Sequence, residues 1–134
     1  MERPWIKQAV AAENVASGLH IFLERVPSYA TDIAASISEL FAVSSEFRAL
    51  DNADHPSQYG RSFYRIKDDL DMVVVSLGFT LDNARTMFRK SRDERYQRAW
   101  EDLDYGLNLE GASLLTRLEW YSLILHDLSA VLKG

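Results

Sequence analysis

Phe63-Tyr64-Arg65-Ile66-Lys67-Asp68-Asp69-Leu70-Asp71-Met72-Val73-Val74-Val75-Ser76-Leu77-Gly78-Phe79-Thr80-Leu81-Asp82-Asn83-Ala84-Arg85-Thr86-Met87-Phe88 is the stretch on which the fold turns. Within it Phe63, Ile66, Leu70, Val73, Leu77, Leu81, Ala84 and Phe88 recur at steps of three or four residues. At about 100° per residue this spacing gathers them into one narrow sector of an α-helix, whereas a strand would scatter them over two faces. Met72, Val75 and Phe79 point to nearly the opposite side of the same helix. A helix that is apolar on both sides is normally central and buried. Cover from within the bundle, with Phe79 against the first or last helix, is therefore the expectation. Cover by a partner protein or a second copy of the chain is the alternative.

Upstream, Trp5, Ala9, Ala12, Ala16, Leu19, Leu23 and Val26 form another helical stripe, alanine-rich in its middle. Alanine there suggests a close approach to a neighbour, while Gly18 weakens the helix slightly. Pro4 suits a first helical turn, and Pro27 must end the helix. A second helix starts around Ser28 to Asp32, with Ser28 or Thr31 as cap, and carries Ile33, Ile37, Leu40, Ser44 and Phe47, flanked by Phe41, Val43 and Leu50. Asp51 to Ser57 reads as a loop around Pro56. Downstream, Arg89 to Arg95 reads as a break, and Tyr96, Trp100, Leu103 and Leu107 make a shorter fourth stripe that ends near Gly111. Ser113 caps a last helix bearing Leu114, Leu118, Tyr121, Leu125, Leu128 and Leu132, with Trp120, Ile124 and Val131 widening its apolar face. No segment alternates like a strand, and no repeat is evident. The sum is an all-α single domain over 1–134, an antiparallel helical bundle of four long helices plus one shorter helix.

The chain has 134 residues, enough for one proper core. Its formal charge of -5 argues against a general nucleic-acid binder, whose phosphate contacts need a basic surface. It has no cysteine and no Asn-x-Ser/Thr acceptor, so disulfides and thiolate metal sites are excluded and a cytoplasmic location is expected. No secretory leader pattern opens the sequence, and its longest apolar run, Met72 to Val75, is far too short to span a bilayer.

Ile37-Ser38-Glu39-Leu40-Phe41-Ala42-Val43-Ser44-Ser45, Glu110-Gly111-Ala112-Ser113-Leu114-Leu115, Tyr59-Gly60-Arg61 and Leu132-Lys133-Gly134 give the chain a family style. With these runs it resembles the N-terminal helical domains of fungal multidomain proteins, of the HeLo-like and STAND N-terminal type. The resemblance implies an N-terminal module of a larger protein, acting in signalling or incompatibility ahead of an NTPase or ankyrin region. Membrane-active members of that group begin with a strongly apolar helix. Here Lys7, Gln8, Glu13 and Asn14 interrupt the first helix, which argues against membrane insertion. No site residue is carried over from the family.

No catalytic or metal constellation stands out. Asp68, Asp69 and Asp71 invite Mg²⁺, but a second acidic motif is missing and a solvated helix face is the simpler reading. No glutamate has a histidine three residues later, as di-iron bundles require, and the zincin, phosphate-loop and nucleophile-elbow patterns are absent. His20, His55 and His126 are scattered. The expectation is therefore no enzyme, no cofactor, no metal and no obligatory small molecule. The densest basic stretch, Arg85 to Arg98, is interleaved with Asp93, Glu94, Glu101 and Asp102 and reads as a solvated, self-paired surface. The expected function is a helical protein–protein interaction or scaffolding module of a signalling-type protein, binding a partner protein or itself. Its candidate surface is Met72, Val75, Phe79, Arg89, Arg92 and Arg95. A membrane-associating, cell-death-type domain and a small-ligand-binding bundle are the alternatives.

Overall fold

The computed structural model describes residues 4–53, 56–91 and 95–133, with the backbone alone for 53, 56–63 and 133. These residues form five α-helices and no strand: α1 (Pro4–Arg25), α2 (Ala30–Ala53), α3 (Pro56–Lys90), α4 (Tyr96–Leu109) and α5 (Leu114–Lys133). The all-α reading holds. The helices run to 22, 24, 35, 14 and 20 residues respectively.

Local chemistry sets most of the ends. Proline cannot donate to the ladder, and α1 stops at Arg25, with Val26 N–H still reaching the Phe22 carbonyl at 2.8 Å. A 3-10 turn, Pro27–Tyr29, then winds directly into α2. The turn is entered from Val26 without a side-chain cap, so the Ser28 or Thr31 cap suggested by the sequence is not what starts the helix. The loop expected over Asp51–Ser57 is also narrower. Helix α2 persists to Ala53, where the Asp51 carboxylate accepts the Trp5 indole N–H at 3.2 Å, and α3 begins at Pro56, a favoured first helical residue. The break after Lys90 is real: the Ser91 hydroxyl and N–H both turn back on the Phe88 carbonyl.

Between α4 and α5 the chain turns as expected. Gly111 has φ of 130°, a backbone region that glycine enters without strain. Its N–H donates to the Asn108 carbonyl and that of Ala112 to the Leu107 carbonyl, the paired closure of a Schellman turn. Ser113 Oγ then accepts the Thr116 N–H at 3.2 Å and caps α5.

Helix α1 packs against α2 and α3, α5 packs against α2 and α3, and α4 bridges the ends of α1 and α3. Trp5 meets Asp51 while Glu13 meets Ser44 and Arg48, so α1 and α2 are antiparallel. Gln8 reaches the Val74 carbonyl and Gly18 faces the Phe88 ring, so α1 and α3 run in the same direction. A β-carbon at Gly18 would lie 2.7 Å from that ring; the glycine makes the room that Phe88 occupies. Phe88 packs on Phe22 at a tilt and Tyr96 meets it edge-on, at 5.7 and 5.1 Å between centroids, and they lock α1, α3 and α4 together.

The core is the one the stripes describe. Ala9, Ala12, Ala16, Leu19, Ile33, Leu40, Phe47, Leu70, Leu77, Leu118 and Leu125 are all buried. Among the described residues no buried side-chain nitrogen or oxygen lacks a hydrogen bond. Phe63, in the third stripe, lies outside the described side chains.

Candidate functional site

The outer side of α3 corrects the expectation of internal cover. Met72, Val75 and Phe79 are exposed by 58, 73 and 55%. The reason is geometric. Among the described residues α1, α5 and the short α4 make the main contacts with α3, and these take its inner side and flanks. Helix α5 shows the same departure. Trp120 and Val131, which the sequence reading assigns to the apolar face of this helix, are exposed instead, and Ile124 is half-buried. Leu123, at 63% exposure, joins them.

Some of these surplus residues meet, while Val75, Phe79 and Val131 stay outside the groove. Met72, Val73 and Ser76 of α3, with Trp120, Tyr121, Leu123 and Ile124 of α5, line an apolar groove of about 410 Å³. Its floor is pinned by hydroxyls. The Tyr121 hydroxyl lies 2.7 Å from Ser76 Oγ and 2.9 Å from Thr80 Oγ1, and Thr80 also donates to the Ser76 carbonyl. A buried phenol satisfied in this way holds the two helices at fixed spacing and leaves their outer apolar edges facing outward.

The basic half of the expected surface lies elsewhere. Lys90, Arg95, Arg98, Ala99 and Asp102 line a separate recess of about 290 Å³, which shares no residue with the groove. Arg89 is exposed and donates to Thr86 Oγ1 at 3.3 Å, and Arg95 is exposed. Arg92 lies outside the described residues. Of the interleaved acids expected to pair with this stretch, Asp102 does so, 3.3 Å from Arg98, whereas Glu101 accepts the Tyr29 hydroxyl at 2.9 Å. That bond raises the Tyr29 pKa above its ordinary value. Asp104 is also raised, first by burial and then by the nearby Asp32 carboxylate.

The remaining polar contacts hold the scaffold together. Arg117 donates to the Ala112 and Leu107 carbonyls, both at 2.8 Å, placing a cation on the carbonyl end of α4 and tying it to α5. Glu13 takes a two-pronged bond from Arg48 and a further one from Ser44, which together lower its pKa. The Asp68, Asp69 and Asp71 carboxylates lie on exposed residues, with Asp71 bridged to Lys67 at 3.3 Å. Among the described residues no three of His, Asp and Glu gather closely enough to hold a metal ion, and no helix is long and apolar enough to cross a membrane.

Of the α3 residues expected on an interaction surface, Met72 lines the groove while Val75 and Phe79 are exposed outside it, and the α5 side was missed. The signal was there: Trp120, Leu123, Asp127 and Val131 follow steps of three, four and four, a second stripe displaced from the Leu118–Leu125 face. No family model, curated protein or solved structure matches the chain.

Proposed function

We propose that this chain is a helical protein–protein interaction module of a signalling or scaffolding protein, and that a partner docks on the α3–α5 groove. One observation carries the reading: Met72 of α3 and Trp120 and Leu123 of α5 stand exposed around a single apolar groove. Single exposed apolar residues are ordinary, but a contiguous apolar patch marks an interaction surface. Covering it gains roughly 25 cal/mol per Å² of apolar surface removed from water. The reading takes the fold as a bundle of four long helices, with α4 as the shorter fifth laid across one end. In it the module binds and does not catalyse, and it serves a larger signalling-type protein, as the family resemblance implies.

A small-ligand carrier is the second reading. Its support is the groove volume, about 410 Å³, within the roughly 300–1,000 Å³ of small-molecule sites. Against it, the hydroxyls at the floor already satisfy one another, leaving few polar groups to orient a small molecule.

A photo-crosslinking residue at Leu123 in the full-length protein tests the docking reading, with the same residue at exposed Tyr105 on α4 as control. A discrete protein adduct at position 123 and none at 105 is the expected result. Equal labelling at both positions, or none at either, removes the groove from consideration.

A further inference from the structure

We infer that the groove takes a cationic amphipathic helix from a partner protein; this rests on the docking reading and names the class of occupant. The occupant is helical because the described residues offer no strand edge to extend, so a third helix lying along two others is the mode available. Glu46–His126 and the shared recess of Ser36 with Leu114 set α5 parallel to α2. Since α2 opposes α1 and α1 runs with α3, α3 and α5 are antiparallel and form two straight walls. The groove lining on α5 spans Trp120 to Ile124, and beyond it the exposed Val131 carries the apolar outer face to roughly 16 Å from Trp120, about three helical turns. A partner helix with apolar residues at i, i+3 or i+4 and i+7 matches that length.

The charge follows from what surrounds the apolar floor. Asp68 lies four residues before Met72 on the outer side of α3, and Asp127 lies four after Leu123 on the outer side of α5. Both residues are exposed, and neither has an ion-pair partner among the described residues. Asp69 joins them on the flank of α3 toward α5, where Arg65 is the one exposed cation among the described residues. At the other end the one cation of α5 near the groove, Arg117, is spent on the Leu107 and Ala112 carbonyls. Among the described residues the carboxylates Asp68, Asp69 and Asp127 outnumber Arg65, and Lys or Arg flanking the apolar stripe of a partner helix would meet them. The exposed Trp120 indole adds a face on which a cation can stack. A second copy of this acidic chain would set the same carboxylates against one another, and an anionic bilayer would repel them.

The test is selection from a displayed library of helices about fourteen residues long, the length at which an isolated helix begins to hold. Apolar positions are fixed at i, i+3, i+4 and i+7, and the flanks vary among Lys, Glu and Gln. Enrichment of Lys flanks, lost against Trp120→Asp and Leu123→Asp, is expected. For the best peptide, Asp68→Lys with Asp127→Lys should weaken binding about tenfold and improve that of its Glu-flanked twin. All four substitutions fall on exposed residues, and circular dichroism checks that each variant stays folded. Enrichment of Gln or Glu flanks that still depends on Trp120 overturns the cationic occupant and leaves the docking reading standing. No enrichment that depends on Trp120 or Leu123 overturns both. Light scattering that shows a dimer dispersed by Trp120→Asp, or co-sedimentation with phosphatidylserine vesicles abolished by it, assigns the groove to another occupant and overturns the proposal.

Discussion

Along the seam between α1 and α2, Ala9, Ala12 and Ala16 are wholly buried and let the two helices approach closely. Polar bonds close that seam, Trp5 to Asp51 near one end and Glu13 to Ser44 and Arg48 further along. Between α3 and α5 the spacers are larger and the polar bonds sit beneath, where Tyr121 meets Ser76 and Thr80. The outer edges of that second seam carry Met72, Trp120 and Leu123, which are exposed among the described residues. Small residues with polar clasps seal a helix pair completely. Large apolar residues around a buried hydroxyl cluster hold the pair apart and leave a groove.

The largest expected effect tests whether the inner side of α3 is as closed as the first seam. Leu77 is fully buried, and Leu77→Ala should cost about 2–5 kcal/mol in urea unfolding. A loss below about 1 kcal/mol would place that side of α3 outside the core. Next, Ala12→Leu forces a larger side chain into the sealed seam and should cost about 1–3 kcal/mol by thermal melt. An unchanged melting temperature would mean that the first seam has slack and that the contrast between the two is false.

The Glu13 clasp gives a smaller, pH-dependent effect. Its pKa is lowered in the folded state, chiefly by Arg48 and then by Ser44. The folded chain therefore holds this proton less tightly than the unfolded chain, and stability rises with pH across that window. The stabilisation is fully present above the ordinary glutamate value and lost as pH falls through the lowered one. Glu13→Gln should cost under about 1 kcal/mol at neutral pH, as for a partly exposed pair, and the difference from the parent should vanish in acid. Melts at neutral and acid pH check the sign; a gap that widens in acid would contradict it.

The smallest effect sharpens the comparison most. Phe79→Asp lies on the open side and should shift stability by no more than roughly 0.5 kcal/mol, leaving a folded chain. Unfolding of that variant would show that Phe79 is held by the bundle after all, and the second seam would then be as closed as the first.

How much of this was legible varies by element. The α5 start at Ser113 and the turn at Gly111 were readable because capping and positive φ are local demands. Leu70, Leu77, Leu118 and Leu125 were readable because period alone puts them on one face. The α2–α3 connection was read too wide, since Asp, Asn and Pro look like loop residues until Trp5 is found holding Asp51 in place. Of the groove, only Met72 was legible as a surface residue. A second apolar stripe on α3 announces a surface in need of cover, but period carries no information about which neighbour supplies it.

By itself, the sequence determined the helices, most of their ends and the inner core, because backbone propensity, caps and apolar period act over a few residues. Tertiary structure decided the rest. Gly18 became a seat for Phe88 rather than a weak point, Arg117 became a tie between α4 and α5, and Trp120 went to the surface. Each of these depends on which helices become neighbours. With α1 and α5 taking the flanks of α3, its outer stripe was left uncovered, and that choice of neighbours is a property of the packed chain as a whole.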